Sequence, residues 1–392
     1  MLSFCPLFTV FCPPAMAFIS GVGNTRYGKI DGSTTMGLAA QAAHAAMRDA
    51  ELAPADIDGL LTGYATTMPH IMLATVIAER LGIHPAYAHA LQAGGATGVA
   101  MAMLAKILVD SGRCRAVLIV GAENRASGQS RDQAIQTLAQ AGHPDYEVPY
   151  GATIPAYYGL LAARYMHQFG VTGADLAELA VLMRRHAGLH PDAHLRTPIT
   201  ADEVMASKPI ALPLRLLDCC PVSDGGIAAV ITRAPTSAAR VRIRGAGQAH
   251  FHQHISCARD WAAMGAKASA DRALDDAGMA LADMRYLAIY DSFTITLAML
   301  LEEIGFVRRA GAGEAARAGR FAIDGDLPLN THGGLLSFGH CGVGGGLAHL
   351  VETQRQLAGR AGDRQVKDAS IGFVHGDGGV MSSHVSMVLE RV

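Results

Sequence analysis

Apolar residues along this chain fall into two rhythms. Six short runs, residues 17–22, 116–120, 227–232, 241–245, 369–374 and 385–389, are largely apolar and bounded by Gly, Asp or charge. Runs of that length and composition read as strands covered on both faces. Residues 35–50, 98–111, 174–187 and 346–357 instead carry their apolar positions three and four apart, which reads as helix. The alternation of the two predicts α/β layers with buried, mostly parallel strands.

The pattern also repeats. DAELAPAD at 49–56 recurs as DAGMALAD at 276–283, each copy between a helical run and an apolar strand. Downstream, Gly-rich turns at 94–98 and 342–346 both lead into long helical runs, and strands ending at Gly121 and Gly376 follow. Two copies of one supersecondary unit account for this spacing. The join is expected in the Pro/Ser/Ala stretch 234–239, giving a first half over 16–236 and a second over 237–392. The first half carries an insertion over about 124–213, rich in His, Tyr and Arg, read as a loop insertion that carries function. The opening fifteen residues, MLSFCPLFTVFCPPA, hold no Lys or Arg. They lack the basic start of a secretory signal and are read as a non-structural extension before Met16.

Composition narrows the function. The 392 residues are half hydrophobic and only 17% charged, enough for a large core and against disorder. A net charge of −2 gives no electrostatic case for nucleic acid or an anionic membrane surface. No run approaches the roughly 18 apolar residues of a membrane span. Seven scattered cysteines without a C-x-x-C pair suit a reduced, cytoplasmic protein.

Six ordered blocks carry a family resemblance: GGATG at 94–98, VGAEN at 120–124, CPVSDGG at 220–226, YDSF at 290–293, NTHGGLLSFGH at 330–340 and HGDGG at 375–379. Together they resemble the thiolases, in particular the sterol-carrier-protein and bacterial lipid-transfer branch, over essentially all of 18–392. The resemblance implies a duplicated fold of two similar halves in α-β-α-β-α layers. It also implies a homodimer and a coenzyme A thioester as ligand, with no covalently bound cofactor and no metal. In thiolases four loops meet over the pocket and run a ping-pong exchange through a cysteine acyl-enzyme.

Aligned on those loops, the nucleophile position falls on Gly95, which has nothing to acylate. The second loop begins with Tyr290, followed by Asp291, and Asn330 matches an asparagine that orders this loop. The third keeps His340 but has Cys341 where Pro is usual. The fourth offers His375, with Asp377 two residues on. His340 is the expected active-site imidazole. His375 reads either as a replacement acid/base, since imidazole titrates near neutrality, or as a hydrogen-bonded core residue. Tyr290 reads as a base or oxyanion donor, or as packing, and Asp291 as a holder of loop geometry more than a chemical group. Cys341 reads as a buried small hydrophobe rather than a relocated nucleophile. His186, His190 and His194 recur every fourth residue; Pro191 interrupts them, and a solvated His-rich surface is expected over a metal site.

Three functions fit this constellation. The first is retro-aldol cleavage of a 3-hydroxyacyl-CoA with a small partner protein carrying an OB fold and a zinc ribbon, as some nucleophile-less members resemble. Such relatives often carry Tyr just before the third-loop His, and this chain has Phe338. The second is acyl transfer or decarboxylation with the acyl group held elsewhere, and the third is a non-catalytic acyl-CoA-binding subunit.

Overall fold

The computed structural model describes residues 16–236 and 240–392. The opening extension and part of the join at 237–239 lie outside them. Among the described residues the first half runs β1 (Phe18–Asn24), α1 (Thr35–Asp49), β2 (Gly59–Gly63), α2 (Leu73–Leu81), β3 (Tyr87–Leu91), α3 (Thr97–Asp110) and β4 (Ala116–Asn124). It continues through α4 (Arg131–Ala139), α5 (Ile154–Phe169), α6 (Gly173–Gly188), α7 (Ala201–Ala206), a small hairpin β5 (Pro209–Ala211) and β6 (Leu214–Arg215), and β7 (Asp224–Thr232). The second half runs β8 (Val241–His250), α8 (Ala266–Ala277), β9 (Tyr286–Ile289), α9 (Thr294–Ile304), α10 (Ala312–Arg317), α11 (Gly334–Ser337), α12 (Gly344–Leu357), β10 (Ile371–Gly378) and β11 (Ser383–Arg391).

The duplication is legible in how strands pair. In the first half β1 is antiparallel to β7, β7 to β4, and β4 runs parallel to β2. In the second, β8 is antiparallel to β11, β11 to β10, and β10 runs parallel to β9. A single contact, Phe18 against Arg242, joins the two into a nine-stranded sheet of order β3-β2-β4-β7-β1-β8-β11-β10-β9. Even small bonds recur. Asp49 accepts from the Val22 amide at 2.8 Å and Asp276 from the Ala246 amide at 3.0 Å. Asp56 and Asp283 each accept from the amide three residues back, Ala53 and Ala280, at 2.8 Å.

Helices α3 and α12 pack on each other and touch strands of both halves, so they form the middle layer. Helices α1 and α2 cover the first half from outside, and α8 covers the second. Close approach of the outer helices needs glycine. A Cβ at Gly21 would stand 2.4 Å from Ala46 O, and one at Gly245 would stand 2.3 Å from Ala273 O.

Two expectations fail. The sheet is mixed, with five antiparallel pairings to three parallel. An unbroken apolar run reports cover on both faces, which helices supply here whichever way a strand points. The insertion is not loop but mostly helix. Tyr158, Leu161 and Leu176 of α5 and α6 enter the same core as Leu287, Ile289 and Phe293, so the insertion roofs the carboxyl end of β9. Among the described residues no helix is long and apolar enough to cross a membrane.

Candidate active site

Strands β2, β4 and β9 each belong to a parallel pair, and the residues directly following them are Tyr64, Arg125 and Tyr290. The carboxyl ends of parallel strands are where α/β sheets open a crevice. Tyr290 is fixed there by its backbone. Its amide donates to His375 O at 3.0 Å. Asn330, at φ +46°, clamps the preceding residue on both sides, accepting from Ile289 N at 2.8 Å and donating to Ile289 O at 2.7 Å. Asp291 turns away from the pocket and accepts from the Leu335 amide at 2.7 Å at the start of α11. Both are therefore positioning residues for Tyr290 and the His340 loop.

The Tyr290 hydroxyl lies 3.0 Å from His340 Nε2. The tautomer follows from the other ring nitrogen: Nδ1 accepts the Gly342 N–H at 3.1 Å, so the proton resides on Nε2. His340 therefore donates to the phenol oxygen, whose own O–H remains free for a substrate. The imidazole is seated by the 220–226 block, since its amide reaches Pro221 O at 3.2 Å and Ser223 N reaches His340 O at 3.1 Å.

Glycine at position 95 is a requirement of this arrangement. A Cβ there would meet the Tyr290 hydroxyl at 2.0 Å, its Cζ at 2.3 Å and Asp377 O at 2.4 Å. The phenol tip occupies the space in which any side chain at 95 would begin.

Burial governs the protonation of both groups. It pushes the Tyr290 phenol well above its ordinary range, reinforced by Tyr158, Cys220, Asp377 and Tyr64. It holds His340 down to about 3, with the Arg125 charge and then His349 acting in the same direction. At neutral pH the site thus holds a phenol and a neutral imidazole of fixed tautomer.

His375 does not join them. His384 Nε2 faces Met381 O at 3.0 Å and must donate, so its Nδ1 accepts from His375 Nε2 at 3.2 Å. The remaining His375 nitrogen then accepts from the Ser386 hydroxyl at 2.8 Å. Both ring nitrogens are consumed in a fully buried chain, which is the core reading of this residue and not the acid/base one. Asp377 accepts from the Tyr158 hydroxyl at 3.2 Å, and burial raises its carboxyl well above the usual range. Cys341 is fully buried, donates to the Tyr27 hydroxyl at 3.2 Å and is pushed up to about 12 by burial, so it is no thiolate. The expected solvated histidine face is overturned as well. His186, on α6, and His190, just beyond it and 4.8 Å from the Phe338 ring centroid, are 1% and 2% exposed, and His194 bonds the Ser223 hydroxyl at 2.9 Å. Phe338 sits in an aromatic cluster, 4.4 Å from the Tyr27 ring centroid.

Sequence reasoning missed Arg125 and Tyr158, both absorbed into the supposed loop. The signal for Arg125 was present: it is the first residue after the VGAEN strand.

Family models for the thiolase N-terminal domain and the thiolase C-terminal domain-like fold match residues 18–234 and 247–391. A curated steroid side-chain-cleaving aldolase of Thermomonospora curvata is 32% identical, over 87% of this chain and 91% of its own. An acetyl-CoA acetyltransferase of Methanothermobacter thermautotrophicus is 31% identical, over 94% of this chain and 98% of its own. A 17-hydroxy-3-oxo-4-pregnene-20-carboxyl-CoA lyase of Mycobacterium tuberculosis is 31% identical, over 88% and 92%. Among solved structures, one titled "Ltp2-ChsH2(DUF35) aldolase" superposes with a TM-score of 0.84 at 29% identity, covering 96% of this chain and 98% of that one. The pairing order of the strands, the six loop blocks and these matches agree, and the chain belongs to the thiolase superfamily.

Proposed function

We propose that this chain is an acyl-CoA lyase that cleaves the C2–C3 bond of a 3-hydroxyacyl-CoA by retro-aldol chemistry, without a covalent acyl-enzyme. The observation that carries it is the Tyr290 hydroxyl standing in the nucleophile's place above Gly95 and bonded to His340. A phenol there cannot hold a thioester as a cysteine does, but it can move a proton. The substrate's 3-hydroxyl gives its proton to the Tyr290 oxygen, whose anionic form the His340 Nε2–H stabilises. The C2–C3 electron pair passes into the thioester as an enolate, C3 becomes a carbonyl, and the proton taken up by Tyr290 is returned to C2, which releases a shortened acyl-CoA and resets the phenolate. The aldolase and lyase names of two relatives support the reaction class.

The finer expectations belong to the same proposal: a cytoplasmic homodimer working with an OB-fold/zinc-ribbon partner. Strand β3 pairs only with β2 among the described strands, and none of its five residues is buried, which suits an edge for a second copy. The solved aldolase whose title names two components supports the partner. The test is product analysis of a 3-hydroxyacyl-CoA incubated with the chain, alone and with the partner. Stoichiometric carbonyl and shortened acyl-CoA are expected; acyl exchange or decarboxylation without carbonyl release would replace the proposal with the transferase reading.

A further inference from the structure

Arg125 is a buried cation that makes no direct ion pair among the described residues. It follows β4 directly, as Tyr64 follows the neighbouring strand β2. It is only 9% exposed, its Nε has no hydrogen-bond partner, and among the described residues it makes no ion pair and no side-chain hydrogen bond. The neighbouring acid, Glu123, feels the Arg125 charge but gives its Oε2 to the Thr66 amide at 2.7 Å and the Thr66 hydroxyl at 2.5 Å, and its buried Oε1 meets no donor. The Arg125 loop is not slack, because Ala126 N and Ser127 N both donate to Asp224 at 2.7 and 3.0 Å. Its charge is felt at Glu123 and at His340, and at Tyr64, Cys220 and Cys341. A buried guanidinium that directly bonds no anion keeps its donors available for one that forms beside it.

We propose that Arg125 is a further catalytic residue, whose guanidinium receives the thioester enolate oxygen released when the C2–C3 bond breaks. This rests on the lyase reading above. The neutral thioester offers little to a cation, whereas the enolate oxygen offers a full charge, so the interaction strengthens on the way to the transition state. Division of labour follows: Tyr290 and His340 handle the 3-hydroxyl proton, and Arg125 holds the charge that the departing carbon leaves behind.

The experiment compares two stable coenzyme A thioethers by calorimetry, on the chain and on its complex with the partner. S-carboxymethyl-CoA carries an anion where the enolate forms, and S-carbamoylmethyl-CoA is its neutral isostere. The native protein is expected to favour the carboxylate at least ~10-fold, Arg125→Met to lose that preference, and Arg125→Lys to keep part of it. In turnover, Arg125→Met is expected to lower kcat ~10²- to 10³-fold with KM nearly unchanged. Equal affinities in the native protein, an undiminished preference in Arg125→Met, or a loss confined to KM would overturn the assignment. A native protein that prefers the carboxylate yet cleaves no 3-hydroxyacyl-CoA would instead sink the lyase reading and leave an anion site at Arg125 standing.

Discussion

The turns at 94–98 and 342–346 are one device built twice. Each is rich in glycine, each feeds one of the two central helices, α3 and α12, and each lies against the other half. Their chemistry has diverged. The first turn presents no side chain at Gly95, and the space is taken by Tyr290 from the other half. The second is preceded by His340, whose ring is oriented by the amide of Gly342. The two turns share a scaffold but not the groups they present, and the space beside Gly95 on the first half is filled by a phenol carried on the second.

Removing the Tyr290 hydroxyl should have the largest effect. Tyr290→Phe keeps the ring in place above Gly95 but deletes the proton-carrying oxygen, and kcat should fall ~10²- to 10⁴-fold with little change in thermal midpoint. Steady-state kinetics beside a melting curve checks both parts. Because burial raises the phenol, the basic form is scarce at neutral pH, and kcat/KM of the native protein should climb with pH above 8. His340→Ala comes next, with an expected ~10²- to 10³-fold loss in kcat. Because burial holds the His340 imidazole near 3, the native protein should show no acid limb from it between pH 5 and 7.

Placing a thiol on the first turn sharpens the comparison from the other side. Gly95→Cys drives its Cβ into the Tyr290 hydroxyl and should cost ~1–3 kcal/mol of stability, with no acyl-enzyme formed. Pairing it with Tyr290→Ala removes the contact with the phenol and leaves the one with Asp377 O, so a double-mutant cycle in denaturant should show coupling between the two sites. Additive effects would mean that the two residues do not share the space.

Stability should also fall in acid. His186 and His384 are held near 4 and His190 near 3, each chiefly by burial, whereas an unfolded histidine takes its proton near 6.5. The unfolded chain therefore binds more protons as pH drops from about 6.5 towards 4, and the unfolding free energy should decline across that window. The smallest effect is expected at Cys341: Cys341→Ala should leave kcat within about 3-fold, since Sγ donates to the Tyr27 hydroxyl and not to Tyr290 or His340.

Much of this was legible before the structure. The two halves followed from repeated DAELAPAD and DAGMALAD, whose final Asp caps the same short turn in both copies. His340, Tyr290 and Asn330 were named from loop blocks and the structure brings them together. Strand direction was not legible, because an apolar run is equally apolar in either direction. His375 was misplaced because a motif gives a position and not the hydrogen bonds of its ring; Ser386 and His384, which consume them, lie on the neighbouring strand β11. Arg125 and Tyr158 were hidden by treating 124–213 as loop, where a helical roof in fact aims Tyr158 at Asp377.

The most direct test of the central claim is intact-mass spectrometry of the protein during turnover of a 3-hydroxyacyl-CoA, with carbonyl product quantified in the same sample. The account predicts carbonyl release while the protein mass stays that of the free chain. A mass gain of one acyl group, at Cys341 or any other residue, would contradict it.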